Sequence, residues 1–285
     1  MSIEYLLESE PYGYGSCDKH NIMLGRMNEL IRYHYDNCIE YKRLIDTLYD
    51  GRTEYDSLIY VPFIPVKLFK KMELKSVHDD NVFKTMTSSG TTGQQVSKIF
   101  LDRQTANNQQ KVLAKIVSEF TGKSRMPMII LDCPSVLKNR SMFSARGAGI
   151  LGFSLFGSKK VYAFTDEMEL NLSELKEFVA KYEGQTIFLF GFTYMIWQYF
   201  YKKLEECGEY LSLENGVLIH GGGWKKLVNE AVSKEEFKKG LEKVCGITSV
   251  HDYYGMVEQT GCIYMECECG HLHASIFSDI IIRNM

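Results

Sequence analysis

Between residues 127 and 253, short apolar runs alternate with helix-length amphipathic segments, and this alternation constrains the fold more than any other feature. The runs are PMIILD at 127–132, KVYAF at 160–164, TIFLF at 186–190, GVLIH at 216–220 and TSVHDY at 248–253. Each has the length of a buried strand. The intervening segments 172–182, 194–207 and 233–244 carry helical spacing, and the Gly-rich stretch 147–156 reads as a helix packed closely on its neighbours. Ser233 with Glu236 three residues later forms a capping box that starts one helix. Strands alternating with helices predict an α/β fold, with mainly parallel sheets flanked by helices.

The flanks read differently. Residues 20–49 space Ile22, Met23, Met27, Leu30, Ile31, Cys38, Tyr41, Leu44, Ile45 and Leu48 as one helical face, with Asp18 as a candidate cap. Pro62 and Pro65 keep 60–67 extended, and a helix over 105–120 ends at Gly122. From Gly261 onward the pattern turns β-rich. The expected organisation is a helical lead-in at 1–60, an α/β domain at 61–260 and the start of a β-rich subdomain at 261–285.

Composition narrows the function classes. With 33 Lys+Arg against 36 Asp+Glu, the net charge of −3 gives no basic face for nucleic acid. No run of about 18 apolar residues suits a membrane span. The first residues, MSIEYLLESE, lack the basic and apolar regions of a secretory signal. The eight Cys then read as reduced thiols of a cytoplasmic protein rather than as a disulfide framework.

The segment Thr87-Ser88-Ser89-Gly90-Thr91-Thr92-Gly93 holds the densest chemistry. Glycines let a backbone turn its N–H groups inward, hydroxyls add donors to the same concavity, and Lys98 supplies positive charge nearby. Such a loop suits a polyphosphate, although a plain surface loop has the same composition. It is not a Walker A loop, because Gly93 is followed by Gln94-Gln95 rather than by Lys-Ser/Thr. Further on, Phe190-Gly191-Phe192-Thr193 lies where a strand passes into a helix. His220-Gly221-Gly222-Gly223-Trp224 follows the strand at 216–220, and Asp252-Tyr253-Tyr254-Gly255-Met256-Val257-Glu258-Gln259-Thr260 follows the one at 248–253. Trp197 reads more simply as core.

Loop, aromatic segment, glycine turn and Tyr-Gly…Glu element occur in the order found in the adenylate-forming superfamily. With the GQQVSKIFLDRQTA context, the chain resembles its fatty-acyl–protein synthetases of the LuxE type, from about residue 60 onward. The resemblance implies the fold of the large N-terminal domain of an adenylate-forming enzyme. It implies ATP and Mg²⁺ as cofactors, with acyl-adenylate formed and the acyl group passed to a thiol of an acyl-reductase or carrier protein. It places the ATP phosphates on Thr87–Gly93 with Lys98 as counter-charge. Adenine falls to Gly221, Gly222, Gly223 and Tyr254, Mg²⁺ to Glu258, and a fatty or other carboxylic acid to Phe190, Gly191, Phe192 and Thr193. Val257 stands where the superfamily usually has Thr. Two alternatives are an aryl- or acyl-CoA ligase of the phenylacetate–CoA ligase type and a non-catalytic nucleotide-binding or assembly component. Superfamily members continue past a strand like 279–283 with a ribose-binding Asp and a small C-terminal domain carrying a catalytic Lys. The resemblance therefore implies a chain cut short, able to fold and bind nucleotide but a poor adenylating enzyme alone.

One cluster stands outside this pattern. Strand alternation would put Cys267, Cys269, His271 and His273 on one face, as a possible Zn²⁺ site. Standard C-x₂-C spacing is absent, and buried thiols are the plainer reading. No G-x-S-x-G nucleophile elbow occurs.

Overall fold

The computed structural model describes residues 3–88, 95–122, 124–137 and 145–283. Two compact units divide the chain: Met1–Ile116 with Gly255–Ile263 and Ala274–Met285, and Val117–Tyr254 with Tyr264–His273.

In the first unit the helical face at 20–49 is two helices, Ser16–Asn37 and Ile39–Leu48, because Cys38 between them is extended at φ −134° and ψ 108°. Ile31, Cys38 and Ile45, spaced by seven, are all buried, so the apolar pattern runs through the break unchanged. The first helix is capped at Gly15 without a side-chain bond; Asp18 lies in its first turn, where a negative charge suits the helix dipole. Buried Asn28 bonds both backbone groups of Tyr55, at 2.8 and 3.0 Å, and ties the helix to the segment that follows. Strands β1 (Lys84–Thr87) and β2 (Lys98–Leu101) pair antiparallel. The helix Arg103–Thr121 follows and ends at Gly122, whose φ of +75° is costly for any residue with a Cβ. Residues 279–283, with the apolar run Ile280–Ile282, form no strand; Arg283 instead donates to the Val61 carbonyl.

The second unit is a seven-stranded sheet. Its strands are β3 (Met126–Leu131), β4 (Gly157–Tyr162), β5 (Ile187–Phe192), β6 (Gly216–Gly221), β7 (Ser249–Tyr254), β8 (Tyr264–Glu266) and β9 (Leu272–His273). The spatial order is β4-β3-β5-β6-β7-β8-β9, the first five parallel and the last two added antiparallel at one edge. Every residue of β3 and β5 is buried, which their unbroken apolar composition requires of strands covered on both faces. Counted along the chain, the parallel strands stand 2-1-3-4-5, so strand order reverses between β3 and β5. Open sheets of this kind bind ligands at the carboxyl ends of the strands beside that reversal.

The helices agree with their sequence signals. Lys234–Cys245 starts with the Ser233–Glu236 capping box and stops at Gly246 in the left-handed region. Its buried face, Phe237, Leu241, Val244 and Cys245, follows the 3–4 residue period. The helix after β5 begins at Thr193 and passes through a π-helical stretch, Ile196–Tyr201, that buries Ile196, Trp197 and Phe200. Trp197 packs against Tyr201 and Phe237 and belongs to the core. No helix among the described residues is long and apolar enough to cross a membrane.

Candidate functional site

At the carboxyl end of β6 the three glycines have different reasons to be glycine. A Cβ on Gly221 would lie 2.5 Å from Cε1 of Tyr253, and one on Gly222 would lie 3.0 Å from Cδ1 of Phe192. Gly222 also has φ +79°. Gly223 has nothing within 4 Å and opens to solvent. Packing therefore demands two of the three, and only Gly223 is free to meet a ligand without a structural cost. The neighbouring tyrosines divide in the same way. Tyr253 turns inward against Gly221 and Phe153, and burial raises its phenol pKa. Tyr254, the residue matched to the adenine stack, is half-exposed at the end of β7.

Of the segment matched to the acyl pocket, Phe190 is fully buried and stacks on Phe153 at 4.1 Å. Gly191 is glycine because a Cβ would fall 2.7 Å from that of Leu131 on the adjacent strand. Phe192 turns towards Gly222. The Thr193 hydroxyl lies 3.0 Å from Nδ1 of His220 and 3.3 Å from the Gly221 carbonyl. With its one proton on the carbonyl, it accepts from an Nδ1–H imidazole. Thr193 and His220 thus tie together the carboxyl ends of the parallel strands β5 and β6.

Sequence reasoning missed two buried carboxylates. Glu266, the last residue of β8, accepts from Lys234 Nζ at 2.8 Å and from the Asp252 backbone N–H at 3.1 Å, with Lys238 Nζ 3.2 Å away. Burial works against its charge, and these donors more than offset it, leaving the pKa low. Lys234 and Lys238 are one turn apart at the start of a helix, where cations oppose the dipole; the carboxylate explains them. Asp132 directly follows β3. It accepts from the Cys133 N–H at 2.7 Å and stands 3.0 Å from Nε of Arg146. Neither pairing has a sequence signal, because the partners lie 14 to 32 residues away.

His220 and Asp252 titrate in opposition. Burial lowers His220 to about 3. Burial, followed by the charge of Glu266, raises Asp252 to about 6. A lowered His makes the native state less stable as pH falls from about 6.5 towards 3. A raised Asp makes it less stable as pH climbs from about 4 to 6. The two slopes oppose each other between pH 4 and 6. Asp252→Asn removes one of them: stability then rises through this window, and at pH 7 the variant exceeds the wild type by ~1–3 kcal/mol. Denaturant melts at pH 4, 5, 6 and 7 measure this. A wild type as steep as the variant would contradict it.

In the first unit, the base of the candidate phosphate loop is an antiparallel hairpin. Thr87 pairs with Lys98, the Ser88 N–H donates to the Ser97 carbonyl, and the Ser97 N–H donates to Ser88 Oγ at 2.9 Å. Ser89, Gly90, Thr91, Thr92 and Gly93 lie outside the described residues. Lys98 is exposed. Val257 packs on the cluster of Ile99, Leu101 and Ala106, so the turn carrying Glu258 rests on the strand that carries Lys98. This apolar contact accounts for valine where the superfamily has Thr.

The zinc expectation is corrected. Residues 267–270 turn the chain, with the Gly270 N–H donating to the Cys267 carbonyl and the Cys267 N–H to the His271 carbonyl. The turn destroys the alternation that would have put Cys267, Cys269, His271 and His273 on one face. Among the described residues no three His, Cys, Asp or Glu side chains stand close enough to hold an ion.

The family model described as acyl-protein synthetase, LuxE, matches residues 2–285. The chain belongs to the LuxE acyl-protein synthetase family. A curated relative, the long-chain-fatty-acid–luciferin-component ligase of Vibrio harveyi, is 25% identical over 248 residues, which are 83% of this chain and 63% of the relative. The LuxE-family chain thus spans less than two thirds of that relative's length. Two structures of 2-hydroxyisobutyryl-CoA ligase in complex with 2-HIB-AMP and CoA share its fold. The open conformation gives a TM-score of 0.60 at 12% identity, covering 90% of this chain and 58% of that one. The thioesterification state gives 0.63 at 14%, covering 92% and 55%. The α/β expectation, with its mainly parallel sheet, holds, and the fold is that of an adenylate-forming ligase.

Proposed function

We propose that this LuxE-family chain takes part in ATP-dependent activation of a carboxylic acid, with a fatty acid as first candidate. The product is an acyl-adenylate, and the acyl group then passes to a thiol of a partner protein. The observation that carries this reading is the family match over residues 2–285. In this reading residues 61–260 form the nucleotide- and acyl-binding part. The 87–93 loop holds the ATP phosphates, with Lys98 as counter-charge. Gly223 and Tyr254 receive the adenine, on a turn shaped by Gly221 and Gly222. Phe190–Thr193 back the acid. Glu258 offers Mg²⁺ a hard oxygen donor, and the metal would neutralise phosphate charge there. In the adenylation step the protein's contribution is alignment and charge neutralisation on the phosphates.

The test is ATP–pyrophosphate exchange by the 285-residue chain across fatty, aryl and amino acids. Exchange that rises with one class of acid supports the reading. ATP binding without exchange for any acid supports a nucleotide-binding component instead. Product analysis with free CoA and with a protein thiol separates a CoA ligase from an acyl-protein synthetase.

A further inference from the structure

Asp132 and Arg146 meet at the strand-order reversal between β3 and β5. Asp132 is closed from solvent, while the Arg146 side chain keeps 28% of its surface exposed. A buried carboxylate has to be compensated, and this one is ion-paired with the guanidinium, Oδ2 lying 3.0 Å from Nε. Nη1 reaches the Tyr194 hydroxyl at 3.3 Å and Met195 Sδ at 3.8 Å. A guanidinium has five donors in a rigid fork, so Asp132 orients Arg146 without exhausting it. Arg146, Gly149 and Phe153 share one face of the helix Ala145–Phe153 at spacings of three and four. A Cβ at Gly149 would lie 3.2 Å from Phe192 and 3.5 Å from Phe190, and Phe153 stacks on Phe190. A half-open cation therefore stands beside a buried aromatic cluster, at the place where such sheets bind ligands.

We propose that Arg146 binds the carboxylate of the acid substrate, held in position by Asp132. The inference rests on the acid-activating reading above. An acid attacking a triphosphate approaches anion to anion. A guanidinium beside it offsets that repulsion and fixes which oxygen faces the phosphorus. The guanidinium pairs with a carboxylate and not with a hydroxyl of the same chain, so the ligand class is monocarboxylic acids and not the corresponding alcohols.

The test compares dodecanoate with dodecanol in equilibrium binding to the 285-residue chain. The wild type should bind the acid at least tenfold more tightly than the alcohol. Arg146→Lys keeps the charge but loses the fork. Asp132→Asn/Arg146→Gln removes the pair without stranding a buried charge. Both should lose at least tenfold for dodecanoate and less than twofold for dodecanol, with circular dichroism unchanged. Equal losses for both ligands, unaltered dodecanoate affinity in the double variant, or a wild type that does not separate acid from alcohol would overturn the assignment. Exchange kinetics keep the two readings apart. Acid-dependent exchange whose acid KM ignores both variants defeats Arg146 alone. Absent exchange with the acid preference intact defeats the adenylation reading alone.

Discussion

Gly221→Val should lower the melting temperature by about 6–12 °C, taking ~3 kcal/mol for an overpacked core and 2–4 °C per kcal/mol in a protein of this size. The clash is with a ring that has nowhere to go. Tyr253 is hemmed by Phe153 and Phe190, with ring centroids 5.1 and 6.2 Å away. Gly221 itself is held between β5 and β7 by strand pairing. Gly223→Ala is the control. Its new methyl group meets nothing within 4 Å, so the melting temperature should shift by less than ~2 °C, consistent with about 0.5 kcal/mol for an open surface site. If adenine lies on this turn, Gly223→Ala weakens nucleotide binding while stability holds. Equal melting temperatures for the two variants would contradict the division of the glycines.

The second large effect is on exchange. Lys98→Ala and Glu258→Gln should each reduce acid-dependent ATP–pyrophosphate exchange by about tenfold to hundredfold, the scale on which single preorganised charge-stabilising groups act. Neither side chain is buried, so thermal stability should stay close to that of the wild type. Their shared dependence on one hairpin gives a further check. Val257→Thr places a hydroxyl in the apolar cluster of Ile99, Leu101 and Ala106, and should cost stability rather than improve exchange. Full exchange in both the Lys98 and Glu258 variants would remove these residues from the site.

Much of this was legible in the sequence because the signals were local. The Ser233–Glu236 box, Gly122 and the buried runs of β3 and β5 each depend on a few adjacent residues, and each was found where expected. Harder were features decided by partners elsewhere. The break at Cys38 leaves the heptad of Ile31, Cys38 and Ile45 intact, so periodicity could not reveal it. Strand β4 begins at Gly157, three residues before the apolar run at 160–164. It is an edge strand whose Ser158, Lys159 and Lys160 are exposed, and an apolar pattern is not required there. The run at 279–283 has strand composition and no strand pairing, since propensity is realised only with a neighbour. The alternation behind the zinc expectation is interrupted by the turn at 267–270.

The site follows the same rule. Glycine spacing announced the turn after β6, but only packing shows that Gly221 and Gly222 serve Tyr253 and Phe192. Likewise only the resemblance singles out Tyr254 in the sequence, and packing shows the physical difference, with Tyr253 turned inward. The pairs Glu266–Lys234 and Asp132–Arg146 had no sequence mark at all. A buried charge is visible only once its partner has been brought to it.

The central claim is that this chain holds an acyl-adenylate, and a stable mimic tests it most directly. Calorimetric titration of the 285-residue chain with dodecanoyl-sulfamoyladenosine should show binding at least a hundredfold tighter than adenosine or dodecanoate separately, because one site then grips both halves. Affinity no better than that of the tighter half would contradict the account.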